Sequence, residues 1–95
     1  MHPGEMLHEE FMVPFALSPA QLAKASGVSR GRIDRIVKGL SGIDAEMALR
    51  LGKVLGTTPG FWVTLQNRHD MLVAQEAIGP ALAVLEPLVA PPVKH

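Results

Sequence analysis

Apolar residues recur along this chain at helical spacings of three and four. The gaps between the apolar runs carry serine, threonine, aspartate, proline and glycine. Met6, Leu7, Phe11 and Met12 form the first stripe, with Glu5, His8, Glu9 and Glu10 on the wet side. This predicts a helix over about 4–12, opened at Pro3 and closed by Pro14. Phe15 and Leu17 follow as link residues expected to plug the core. Ser18, Pro19 and Gln21 have the spacing of a capping box and start a second helix that runs to about Ser26. Gly27 suits a sharp left-handed turn, and Ser29 caps a third helix ending near Lys38, before Gly39. Asp44 opens a fourth over about 45–55, with Met47, Ala48, Leu51, Val54 and Leu55 at helical spacing and Gly56 as its stop. Thr58 and Pro59 open a fifth, which places Phe61, Trp62, Leu65, Leu72 and Val73 on one face and is expected to end at Gly79-Pro80. No segment alternates as a strand would, so the fold class is all-α with five helices. Residues 1–79 form one domain in this reading. Residues 80–95 are an apolar C-terminal segment, Ala81 to Val89, followed by a mobile tail.

Composition narrows the field. An apolar fraction of 47% in 95 residues supports a single small globular domain and excludes disorder. A core of that size is modest, so self-association is a common supplement. The absence of cysteine rules out disulfides and thiolate metal sites. No apolar run is long enough for a bilayer span and no secretory pattern is present, so a cytoplasmic protein without membrane contact is expected. Net charge is zero, but its distribution is uneven: between Lys24 and Lys53 seven Lys/Arg face three acids, a local excess of +4. A basic face on a neutral chain suits a specific, dimeric DNA binder better than a non-specific coat.

The segment from Pro19 to Lys38 gives that charge a geometry. Leu22 and Ala23 on one helix, and Val28, Ile33 and Ile36 on the next, seat the pair against each other and against the core. The outward face of the second helix then carries Ser29, Arg30, Gly31, Asp34, Arg35 and Lys38, which is the plan of a helix-turn-helix with a basic recognition helix. Arg30 and Arg35 are candidates for bidentate reading of guanine edges. Lys38, and Gln21 on the helix before, are candidates for phosphate contacts, with Arg32 on the flank as a further backbone contact. Asp34 could accept from a cytosine amino group or orient Arg30 or Arg35, and salt-bridge duty is the favoured role. Gly31 either lets the backbone approach a base or phosphate, or is neutral.

Other chemistry finds little footing. His2, His8, His69 and His95 match no ligand spacing, and the HEEF at 8–11 lacks the second histidine of a zincin, so no metal is expected. Neither a nucleophile triad nor a glycine-rich phosphate loop is present, and no cofactor or enzymatic activity is expected. Helix five and Ala81 to Val89 would leave an apolar patch if exposed, which predicts a homodimer contact or a partner site. A dimer also matches the two-fold symmetry of an operator.

Several stretches together resemble a known family. HPGEML at 2–7, LSPAQLAKASGVSRGRI at 17–33, ALRLGKVLGTTPGFWVTLQ at 48–66 and Asp70 are similar to the HigA branch of the XRE antitoxins, also labelled VapI or addiction-module antidote. The resemblance covers roughly residues 2–75. It implies a compact lambda-repressor-like helix-turn-helix domain of the Cro/C1 kind that binds double-stranded operator DNA as a homodimer and represses its own operon. It also implies a HigB-like, mRNA-cleaving toxin as the partner that is neutralised. Arg30-Gly31-Arg32-Ile33-Asp34-Arg35-Ile36 stands where the family often has Arg-Gln-Arg-Ile-Asn-Glu-Ile, so a different operator is expected. His69-Asp70 replaces the usual Tyr-Asp, and Gly60 replaces a common acid, changes that bear on the toxin-contact surface. An orphan regulator of the same fold, and a protein-interaction module without DNA binding, remain open alternatives.

Overall fold

The computed structural model describes residues 2–89, and every regular element among them is a helix. Helix α1 spans Pro3–Leu7 and continues without a break as a π-helical turn over His8–Met12. Then come α2 (Pro19–Ser26), α3 (Arg30–Val37), α4 (Ala45–Leu55) and α5 (Pro59–Ala83). The expected starts of α2 to α5 hold because each is written in a cap. Ser18, Ser29, Asp44 and Thr58 all adopt extended backbone, and each side chain accepts the N–H of the residue three positions on. The Ser18 cap is a full capping box, with the Gln21 side chain accepting the Ser18 N–H in return.

The core is one cluster: Leu7, Met12, Leu22, Ala23, Ile33, Ile36, Ile43, Met47, Ala48, Leu51 and Trp62. Trp62 is fully buried and donates its Nε1–H to Thr57 Oγ1 at 2.8 Å, so the largest side chain leaves no polar atom stranded. Phe11 packs on Trp62 with ring centroids 5.3 Å apart and fixes the π-turn to the start of α5.

Helix α1 approaches α3 more closely than a side chain allows. A Cβ placed on Gly4 would overlap the Ile36 carbonyl oxygen and stand 2.7 Å from its carbon. Gly4 is therefore required by contact rather than by dihedral angle, and it lets α1 lie against the last turn of α3. Gln66 of α5 ties the loop after α3: its Oε1 accepts the Ile43 N–H at 2.7 Å and its Nε2 donates to Asp70 at 2.9 Å.

Three expectations need correction. Phe15 does not plug the core: it is 68% exposed, and Leu17 alone of the link pair packs inward. Helix α5 does not stop at Gly79-Pro80 but runs on to Ala83. Pro80 removes the N–H that would bond the Glu76 carbonyl, and Glu76 lies in solvent, where water can replace it. Finally, the single apolar face foreseen on α5 breaks up. Trp62 and Leu65 pack on the core, whereas Leu72 and Val73 are more than half exposed. The helix simply outlasts the body it packs on, which is why the described molecule measures 51 × 26 × 22 Å. The expected mobile tail, 90–95, lies outside the described residues.

Candidate nucleic-acid interface

The turn between α2 and α3 is fixed from three sides. Gly27 caps α2 in the left-handed conformation, φ 72°, and its N–H returns to α2 carbonyls. Val28 donates to the Ala23 carbonyl at 3.0 Å, closing the turn. Arg50 of α4 donates from Nη1 to the Ser26 carbonyl at 2.8 Å, and its Nε bonds Glu46 at 3.2 Å. The turn is thus clamped to α4 by a charged side chain.

Ile33 and Ile36 are fully buried and set the rotation of α3. The opposite face is free. Arg30, Gly31, Arg35 and Lys38 are exposed, and Asp34 is half exposed beside them. Arg30 is paired only loosely, its Nε 3.7 Å from Asp34, and 67% of its side chain faces solvent. Asp34 is the acid that Arg30 meets one helical turn on. Gly31 sits on open surface, where an added Cβ would meet only the Arg35 guanidinium, at 3.8 Å. Ser29 is spent on capping, accepting the Arg32 N–H at 3.2 Å. Gln21 gives its Oε1 to the capping box and keeps its exposed amide N–H groups.

Arg32 departs from this set. Its guanidinium turns back to Asp44 at 3.1 Å and Glu46 at 3.4 Å, and only 30% of the side chain is exposed. It joins the C-terminal arm of the motif to the start of α4, and Glu46 carries both Arg32 and Arg50. The acids that capture Arg32 lie twelve and fourteen residues on, beyond the reach of any local reading. Arg50, which the sequence reading passed over, belongs to the same frame.

The result is a convex basic ridge one helix wide. A helix with its side chains is about 10–12 Å across, close to the width of the B-DNA major groove. Among the described residues no group of three or more His, Cys, Asp or Glu could hold a metal, and no helix is long and apolar enough to cross a membrane.

Comparison with known proteins gives this ridge a family. A family model described as Helix-turn-helix matches residues 10–62, more than half of the chain. The chain belongs to the helix-turn-helix family. Virulence-associated protein I of Dichelobacter nodosus is 42% identical over 76 residues, 80% of this chain and 70% of its own length. Antitoxin HigA-1 of Vibrio cholerae is 37% identical over 68 residues, 72% of this chain and 64% of its own length. The solved structure of Pseudomonas aeruginosa antitoxin HigA with the higBA promoter superposes with a TM-score of 0.89 at 41% identity. That match covers 94% of this chain and 98% of the other. Within the helix-turn-helix family the chain falls among the HigA-type antitoxins, as its HPGE lead and TTPGFW segment implied.

Proposed function

We propose that this chain is a transcriptional repressor and antitoxin that binds operator DNA as a homodimer through α3 and neutralises a HigB-like, mRNA-cleaving toxin. The observation that carries the DNA-binding part is the solvent-facing ridge of Arg30, Arg35 and Lys38 on a helix locked from behind. A relative of nearly identical fold was solved with its promoter, which supports the same use here. Arg30 and Arg35 contact base edges and Lys38 and Gln21 contact phosphates, while Ser29 and Asp34 shape the face. Gly31 leaves room for close approach of the helix backbone. Arg32 keeps a frame role and reaches no base, because its guanidinium is held by two acids.

The dimer half of the proposal rests on α5. Met71, Leu72, Val73, Ile78 and Leu82 are each between 45% and 58% exposed, apolar surface of the kind that marks an interaction site. Pairing through these residues would present two α3 helices to a two-fold operator, about 34–36 Å apart for adjacent half-sites. In this arrangement residues 1–79 hold the DNA-binding domain, and α5 carries the chain across into the 80–95 segment. The role is non-catalytic and its setting is the cytoplasm.

A mobility-shift experiment with the DNA upstream of the chain's own gene tests this, run with and without the product of the neighbouring gene. A specific shift, together with capture of the neighbouring product, is the expected result. A shift without capture leaves an orphan regulator, and absence of any shift overturns the DNA-binding reading.

A further inference from the structure

His2 sits where three elements meet. Its Nδ1 accepts the Gly4 N–H at 2.9 Å and so caps α1. One face of its ring covers the turn behind α3, where a Cβ on Gly39 would stand 3.8 Å from the imidazole carbons. Its edge contact with His69 of α5 has centroids 4.7 Å apart and planes at 73°. Gly4, bonded to His2, is the residue wedged under the Ile36 carbonyl in the last turn of α3. Through His2, the C-terminal end of α3 is referenced to both α1 and α5.

We propose that neutral His2 is a positioning residue for DNA recognition, and that its protonation uncouples the end of α3 and weakens operator binding. This rests on the DNA-binding reading given above. An imidazole nitrogen that accepts from a backbone N–H must carry a lone pair, and the imidazolium has none on either nitrogen. Protonation sets two donors face to face, removes the α1 cap and adds a charge beside a second histidine. Among the described residues, the charged and titratable groups around the ring are Glu5 of α1 and His69 and Asp70 of α5. From the end of α3 it meets the uncharged Gly39 backbone.

Burial, then His69, lower the His2 pKa below its ordinary 6.5, against the opposing pull of Glu5 and Asp70. A group whose folded pKa is depressed binds more protons when released. Its contribution is complete above about pH 6.5 and is lost as pH falls from there through the folded value. Generic electrostatics runs the other way, since protonated histidines add positive charge and tighten DNA binding in acid. The sign of the pH dependence therefore separates the two.

The test is fluorescence anisotropy with labelled upstream DNA at constant ionic strength, from about pH 8 to pH 5, the range in which histidine titrates. Wild type is expected to lose about tenfold in affinity across this range, the equivalent of one full acceptor bond. His2→Asn keeps a capping acceptor that does not titrate, and its affinity should hold level or rise. His69→Phe keeps the ring edge but removes the neighbouring histidine, and should move the loss to higher pH. Identical pH profiles for wild type and His2→Asn, or wild-type affinity that rises in acid, overturn the proposal. If no DNA binds at any pH, the DNA-binding reading and the recognition role fall together. The backbone amide resonances of Gly4 and Gly39 across the same range then decide the uncoupling. Movement in wild type but not in His2→Asn upholds it, and a fixed pattern in both overturns it.

Discussion

Replacing Gly4 by alanine isolates the contact between α1 and α3. Helix propensity alone favours the change by up to about 1 kcal/mol. The structure demands the opposite sign. The new methyl would overlap the Ile36 carbonyl oxygen and stand 2.7 Å from its carbon, against an ordinary carbon–carbon contact of about 3.5–4.0 Å. One helix must therefore withdraw by roughly 1 Å, and overpacking of this kind costs about 1–3 kcal/mol. Withdrawal also loosens the His2 cap on the Gly4 N–H, for about 1 kcal/mol more. Set against the propensity gain, the net expectation is a loss of about 1–3 kcal/mol, which in a domain of this size lowers Tm by about 5–20 °C. Urea denaturation followed by circular dichroism measures it. Gly31→Ala is the control, since its Cβ meets nothing nearer than the Arg35 guanidinium at 3.8 Å. That variant should gain up to about 1 kcal/mol. If the two variants change stability alike, or Gly4→Ala matches wild type, the claimed wedge does not exist. Gly31→Ala also has a second readout: a weaker grip on DNA in a more stable protein would place its backbone against the nucleic acid.

Arg30→Ala and Arg35→Ala should each cost about 1–3 kcal/mol of operator binding by anisotropy. Arg32→Ala should leave that affinity unchanged and cost under about 1 kcal/mol of stability, since its acidic partners are exposed. Gln66→Leu strands the Ile43 N–H, and a urea midpoint equivalent to about 1–3 kcal/mol lower is expected. Leu72→Glu places a charge in the apolar part of α5. Sedimentation should then show at least a tenfold weaker self-association, because an unpaired buried charge is costly.

The motif was legible because its signals are local. Ser18, Ser29, Asp44 and Thr58 name their helix starts, and Gly27, Gly39 and Gly56 all take the left-handed conformation their positions after a helix call for. The buried positions Leu22, Ala23, Ile33 and Ile36 follow from spacing alone, and they fix which side of α3 faces out. What escaped was non-local. Nothing near Gly4 in the chain announces the Ile36 carbonyl, and nothing near Arg32 announces Asp44 and Glu46. Pro80 misled for a different reason. It stops a helix whose carbonyls are shut away from water, and α5 at that point is surrounded by water. Phe15 is apolar yet exposed, and the left-handed backbone at Ala16 beside it is a turn that its hydrophobicity does not announce.

The outer part of α5 has a consequence for how long the chain survives. A lone helical arm of that length is marginal in water, so by itself it adds little order that a protease must overcome. In the proposed pair, order arrives together with the second copy, and mass action links the two. Dilute chains would then offer a cleavable arm and concentrated ones a shielded one, so that falling supply hastens its own removal.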